Sequence, residues 1–178
     1  GQPQDIELDD PRVAKIVRKC RDIPGYELFQ YYDEDGSVCD VTSADVNDYI
    51  REITGEDFTA KDFRTWGGTG LAALALEEIG KSETQTEQKK NIVEAIKRVS
   101  QRLGNRPATC RKYYVHPAVL DAYSDGSLFD ELKKCTGERR EEACVMAVVS
   151  AYVRRMAEDA EASKDFSDKL RQSIRRRA

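Results

Sequence analysis

Three short segments combine residue types that could act on an anionic substrate. Arg111–Tyr114 places two phenols directly after two cations, and a tyrosine hydroxyl can serve as a nucleophile. Gly104–Arg106 ends a periodic apolar segment with polar groups. Lys61 and Arg64 stand three residues apart, which places both cations on one face of a helix. Taken singly, each segment also has an ordinary interpretation as exposed cations, a helix end or core aromatics.

The charge of the chain is unevenly distributed. The net charge is −4, but residues 1–60 carry −9, residues 61–118 carry +5 and residues 119–178 balance. A basic middle in an acidic chain can mark a surface that faces phosphate groups. Several of these lysines could instead lie on an ordinary, solvent-exposed helix face. Charge alone therefore does not distinguish a phosphate-binding surface from a solvated one.

Composition excludes several classes of protein. With 35% charged and 39% hydrophobic residues over 178 positions, the chain fits a soluble domain, and no apolar run approaches the ~20 residues of a membrane span. The five cysteines are widely spaced and there is one histidine, which disfavours a zinc site or a disulfide framework. We therefore expect reduced thiols, no metal and no cofactor. No export signal is recognisable, which favours the cytoplasm.

The periodicity predicts a mainly α fold with a small β element near the N-terminus. We expect one domain over 1–178, with a core in 6–125 and C-terminal helices in 128–178. Thr42 and Asp45 have the spacing of a capping box, which predicts the start of a helix. Tyr49 and Ile53 of this helix are expected to face inward. Two extended pieces are predicted over 27–32 and 37–41, and helices over 11–21, 42–55, 59–80, 86–103, from 108, 118–123, 128–135, 141–160 and 164–177.

The three segments, in this order, resemble the catalytic domain of type IB DNA topoisomerases, in the bacterial and poxvirus-like group that is related to the tyrosine recombinases. The resemblance is carried by Phe58–Thr69 (FTAKDFRTWGGT), Leu103–Pro107 (LGNRP) and Cys110–Pro117 (CRKYYVHP). Upstream, 28–31 and 43–47 also resemble the family, so that the resemblance covers about residues 6–123. It implies the helical fold of that family and strand cleavage and religation on duplex DNA, which relaxes supercoils.

The resemblance assigns a role to each candidate residue. Tyr114 matches the nucleophile, Arg64 matches an active-site arginine in a K-x-x-R motif, and Asn105 matches a His or Asn that donates to a phosphate oxygen. Tyr113 competes with Tyr114, which is preferred because the Tyr-Val-His-Pro context resembles the family. The neighbouring cations are expected to contact DNA: Lys61, Arg111 and Lys112. His116 does not match a catalytic position and is expected to pack against, or to cap, the next helix.

Two of the family's catalytic groups have no counterpart in the sequence. A general-acid lysine on a hairpin and a further arginine are expected at or before Gly1, so we expect little or no relaxation activity from these 178 residues alone. The glycines of Gly67–Gly70 lie within a predicted helix, where each costs roughly 1 kcal/mol relative to alanine. They should therefore permit close approach of the backbone to a neighbouring helix or to a DNA strand.

Two alternatives remain open. A tyrosine recombinase or integrase shares the nucleophile and the arginines, but would carry histidine at the position of Lys61. A non-catalytic DNA-binding or assembly module would use the basic middle and the apolar C-terminal helices. The leading interpretation is a topoisomerase that acts as a monomer on DNA, in the cytoplasm with the nucleoid, without ATP or metal.

Overall fold

The computed structural model describes the backbone of residues 9–137 and 139–175, with side chains up to Lys164. Helices dominate this part of the chain, and a two-stranded sheet is its only β structure, so the predicted fold class is confirmed. The elements are α1 Pro11–Arg21, β1 Gln30–Tyr32, β2 Val38–Asp40, α2 Ser43–Thr54, α3 Ala60–Ile79, α4 Gln85–Leu103, α5 Pro107–Tyr113, α6 Pro117–Asp125, α7 Leu128–Lys133 and α8 Arg140–Arg175.

The chain divides into two compact units, residues 1–63 and 64–178, so that α3 begins in the first unit and continues into the second. The predicted single domain over 1–178, with a core in 6–125 and C-terminal helices in 128–178, stays a prediction. Every candidate site residue except Lys61 belongs to the second unit.

The first unit follows its local sequence signals. Asp10 caps α1, and Thr42 and Asp45 form the predicted capping box of α2. The antiparallel strands pair Tyr31 with Cys39. They are shorter than the predicted extended pieces because only three residues of each enter the ladder.

The prediction that α2 turns its apolar face inward is wrong. Tyr49 is 62% exposed and Ile53 is 61% exposed, and no residue of α1 or α2 is buried. Helical periodicity indicates which residues share a face, but it does not say whether another element covers that face.

The core of the second unit lies among α3, α4, α6, α7 and the first turns of α8. In α4, Ile92, Ala95, Ile96 and Val99 repeat at helical spacing and are buried. Their neighbours in the core include Ala72 and Leu76 of α3, Val119 of α6, Leu128 and Leu132 of α7, and Cys144 and Val148 of α8. The helices that carry the candidate site are thus held by a continuous apolar core.

The two predicted C-terminal helices are one. Helix α8 runs without interruption from Arg140 to Arg175, and the last predicted residues, 176–178, lie outside the described residues. The predicted break at 160–164 contains neither glycine nor proline, so nothing in the backbone chemistry ends the helix there. None of the described helices is both long and apolar enough to cross a membrane.

Candidate active site

Helix α3 carries Arg64 to the centre of the candidate site. The Arg64 side chain donates from Nη2 to the carbonyl oxygen of Leu103, 2.8 Å away, and to Oδ1 of Asn105. A guanidinium has five N–H donors, and these two bonds use both donors of Nη2. No described residue accepts from Nε or Nη1, so three donors stay available for an anion.

The end of α4 supplies both acceptors for Arg64. Gly104 ends the helix in the left-handed conformation, with φ at 64°, which favours glycine. The chain then turns back, and the Asn105 amide donates to the carbonyl of Ser100 at 3.0 Å. Because the Oδ1 atom of Asn105 accepts from Arg64, its side-chain NH₂ group is left as a donor.

Tyr114 follows α5 directly. Pro107 occupies the first turn of this short helix, and the Tyr114 amide closes its end by donating to the Cys110 carbonyl at 2.9 Å. The Tyr114 ring is half-buried, and the Arg64 guanidinium carbon lies 5.1 Å from its centroid, within the range of a cation–π interaction. The nucleophile candidate and the arginine candidate are therefore in direct contact.

Helix α3 also contacts the backbone around Tyr114. Thr65 Oγ1 donates to the Tyr113 carbonyl at 3.1 Å, and the His116 amide donates to Thr69 Oγ1 at 3.0 Å. Between these two bonds, the carbonyl oxygen of Tyr114 lies so close to Gly68 that an added Cβ would clash with it. The glycine segment was expected to approach a neighbouring helix or a DNA strand, and a close approach to the end of α5 is confirmed at Gly68.

The prediction that His116 caps the next helix is confirmed. Its Nδ1 accepts from the Ala118 amide at 3.2 Å, which caps α6. Its ring meets the edge of Tyr152 in α8, with centroids 5.7 Å apart. This side chain thus ties the segment after Tyr114 to α6 and α8.

The electrostatic environment of the site is positive. Residues 95–120 contain six lysines and arginines and no aspartate or glutamate. Of these six, Arg98 pairs with Glu78 and Glu94. Among the described residues, Arg102, Arg106 and Arg111 have no carboxylate partner, and Lys112 lies 5.0 Å from the centroid of the Tyr113 ring. Fixed cations without counter-charges are suited to binding an anion.

The pKa of the Cys110 thiol is raised by burial, against the opposing effect of the nearby Arg64 guanidinium. Cys110 is fully buried in α5, where it packs in the core rather than facing solvent. A thiol of this kind stays protonated at neutral pH and is a poor nucleophile. Among the described residues, no group of three His, Cys, Asp or Glu side chains could hold a metal ion.

The structure brings together three of the six candidate residues, Arg64, Asn105 and Tyr114. Arg111 and Lys112 are exposed in the last turn of α5, directly before the two tyrosines. Lys61 is exposed in the first turn of α3 and belongs to the first unit, whereas the other five belong to the second.

The sequence pattern did not identify Thr65 and Thr69 as functional candidates. Their spacing of four residues places them on one face of α3, but the residues that they contact are 47 and 48 positions away along the chain. The burial of Thr69, which is 1% exposed, is a tertiary property. The only signal in the local sequence for a close approach at this face of α3 was the adjacent pair Gly67 and Gly68.

Comparisons with known proteins place the chain in a family. Residues 2–143 match the family described as the catalytic core of eukaryotic DNA topoisomerase I. A DNA topoisomerase 1B of Acanthamoeba polyphaga mimivirus is 34% identical over 120 residues, which cover 64% of this chain and 36% of that protein. The chain thus spans about a third of the length of this relative. The assignment to a bacterial or poxvirus-like group stays a prediction, but the chain belongs to the family of DNA topoisomerase I catalytic cores.

Proposed function

We propose that the chain is the part of a type IB DNA topoisomerase that carries the nucleophile, Tyr114, and that it cleaves and reseals one strand of duplex DNA. One observation carries the proposal: Arg64, Asn105 and Tyr114, from three separate segments, converge at one positively charged place. The match to the topoisomerase I catalytic core over residues 2–143 supports it.

In the proposed reaction, the Tyr114 hydroxyl attacks a phosphodiester of DNA. The phenol gives its proton to solvent water, a bond forms between the phenolic oxygen and phosphorus, and the bond to the 5′ oxygen breaks. The leaving oxygen gains a proton from a general acid, which the family resemblance assigns to a lysine N-terminal to the residues described here. The 3′-phosphotyrosine keeps the energy of the broken bond, so the reverse attack reseals the strand without ATP.

Arg64 and Asn105 would stabilise the charge that develops on phosphorus. The three available donors of Arg64 and the side-chain NH₂ group of Asn105 can bind the non-bridging oxygens. Donors that are already oriented before the substrate binds contribute most in a transition state, because they need no reorganisation during the reaction. Charge stabilisation by these fixed groups is the reason for expecting that no metal is required.

The surroundings of the two tyrosines favour Tyr114 over Tyr113 as the nucleophile. The Tyr114 ring lies beside Arg64, and no described residue makes a hydrogen bond with its hydroxyl. Tyr113 is 47% exposed and its ring lies beside Lys112. A tyrosine in contact with a phosphate-binding arginine is the better placed nucleophile.

Plasmid relaxation tests the proposal. The full-length gene product is incubated with supercoiled plasmid, without ATP and with EDTA in place of magnesium. Wild type and Tyr113→Phe should relax the plasmid, and Tyr114→Phe should not. Relaxation by Tyr114→Phe, or none by wild type, would overturn the assignment.

A suicide substrate that releases its 5′ end distinguishes the alternatives. A topoisomerase forms a covalent adduct through Tyr114 on a single DNA site. A recombinase also requires the sequence-specific synapsis of two sites. A binding module gives salt-sensitive retention of duplex DNA without an adduct. We further propose that the protein acts as a monomer on DNA, in the cytoplasm with the nucleoid.

A further inference from the structure

Thr69 is one of two buried polar residues in the described part of the chain, and both polar contacts of its hydroxyl lie within the candidate site. Its Oγ1 donates to the carbonyl of Thr65 at 2.6 Å, one turn earlier in α3, and accepts from the His116 amide at 3.0 Å. His116 is half-buried, and the acceptor for its backbone N–H is a side chain of α3. Thr69 is thus the hydrogen-bonding partner of the residue two positions after Tyr114.

This contact is one of three that helix α3 makes with the same stretch of backbone. Thr65 donates to the Tyr113 carbonyl, and Thr69 accepts from the His116 amide. Between them, the absence of a side chain at Gly68 leaves space for the Tyr114 carbonyl. Positions 65, 68 and 69 share one face of the helix. Arg64 stands in the same turn of α3. The contacts therefore fix the backbone of Tyr114 relative to the helix that presents Arg64.

We infer that Thr69 is a positioning residue for the nucleophile, which sets the distance between Tyr114 and the phosphate held by Arg64. This inference rests on the proposed function. Thr69 is buried and does not touch substrate, so its effect is transmitted through the His116 amide. A displacement of about 1 Å at a reacting group can lower a rate roughly 100-fold, whereas DNA affinity depends on exposed cations that Thr69 does not contact.

The test replaces Thr69 in two ways, in the full-length protein. Thr69→Val keeps the shape of the side chain and removes the acceptor, and Thr69→Ser keeps the hydroxyl. Single-turnover cleavage of a suicide substrate and the Kd for uncleaved duplex are measured separately. We expect Thr69→Val to cleave about 10- to 100-fold more slowly with Kd within about twofold of wild type, and Thr69→Ser to restore most of the rate.

Tyr123→Phe is a matched control. The Tyr123 hydroxyl is also buried, donates to the Gly80 carbonyl at 2.8 Å and accepts from the Asn91 amide group at 2.7 Å. Loss of this hydroxyl removes two hydrogen bonds from the same unit, one donated and one accepted, but does not affect the contacts of residues 113–116. We expect this variant to be less stable to heat and to cleave at the wild-type rate.

The outcomes separate the inference from the proposed function. No adduct with wild type would refute the function itself. An adduct with wild type and equal cleavage rates for Thr69→Val and Tyr123→Phe would refute the positioning role alone. If Thr69→Val does not fold, Thr65→Val decides instead, because Thr65 is only half-buried and holds the Tyr113 carbonyl. A rate equal to wild type for that variant would contradict the inference, and a slower rate with unchanged Kd would support it.

Discussion

The cations of the second unit are used in two different ways. Around the candidate site, Arg102, Arg106 and Arg111 have no carboxylate partner among the described residues, and Arg64 donates only to neutral oxygens. Near α7 and in α8, five cations are neutralised by ion pairs: Lys133 with Asp130, Lys134 with Glu131, Arg139 with Glu142, Arg140 with Glu77 and Arg155 with Asp125.

The difference indicates where an anion can bind. A cation that already faces a carboxylate gains little from a phosphate, because the phosphate must displace the carboxylate first. The run of residues 95–120 has no acidic side chain, and apart from Arg98, which pairs with Glu78 and Glu94, its arginines have no carboxylate partner among the described residues. Their positive potential stays available to a partner from outside. A similar number of basic side chains therefore gives a binding surface in one region and structural support in the other.

The largest expected effect separates Arg64 from Arg155. Arg64→Ala should slow single-turnover cleavage by roughly 100- to 1,000-fold, because it removes donors to the charge that develops on phosphorus. Arg155→Ala should cleave at a rate close to wild type, since Arg155 is paired with Asp125 at 2.5 Å. Equal losses in the two variants would break the comparison between the regions.

The salt dependence of DNA binding should separate the two regions next. Replacing Arg111 and Lys112 by glutamine should reduce the slope of log Kobs against log salt concentration by about 0.9 for each phosphate that the protein no longer neutralises. The matched double replacement of Lys133 and Lys134 removes the same charge from ion pairs and should leave the slope unchanged. Filter binding between about 50 and 200 mM salt measures the slopes. Identical slopes for the two double variants would contradict a phosphate-binding role for Arg111 and Lys112.

The smallest expected effect is a pH-dependent loss of thermal stability on replacing Asp125, the partner of Arg155. Burial alone would raise the pKa of Asp125, but hydrogen bonds from Ser127 and the pair with Arg155 outweigh it and lower the pKa overall. A carboxyl whose pKa is lower in the folded state stabilises the fold above its unfolded pKa of about 4, and this contribution is lost as the pH falls through the folded value.

Asp125→Asn should therefore lower Tm by about 1–3 °C at pH 7, and the difference from wild type should shrink below about pH 4. Asp130→Asn is the control, because its pair with Lys133 is longer, at 3.6 Å, and more exposed. Thermal unfolding of the 178-residue chain at several pH values measures both variants. A difference for Asp125→Asn that does not change with pH would show that its ionisation is not responsible.

Much of the local structure could be predicted from the sequence because its causes are local. The proline that starts α1, the capping box of α2 and the glycine that ends α4 are short-range backbone signals, and each appears where it was expected. The same reasoning divided α8 into two helices without a breaking residue. It also expected a buried face on α2, which depends on contacts that no local pattern contains.

The sequence by itself determined which reactive groups are present, namely a tyrosine after two cations, an arginine in α3 and an asparagine after α4. Only the tertiary structure decided which of these groups meet. Arg64 and Asn105 are 41 residues apart in the chain, and Thr69 and His116 are 47 apart. The close packing of α3 against residues 113–116 allows the second contact, because Gly68 has no side chain to keep the two backbones apart. The first depends on the turn at Gly104 that ends α4.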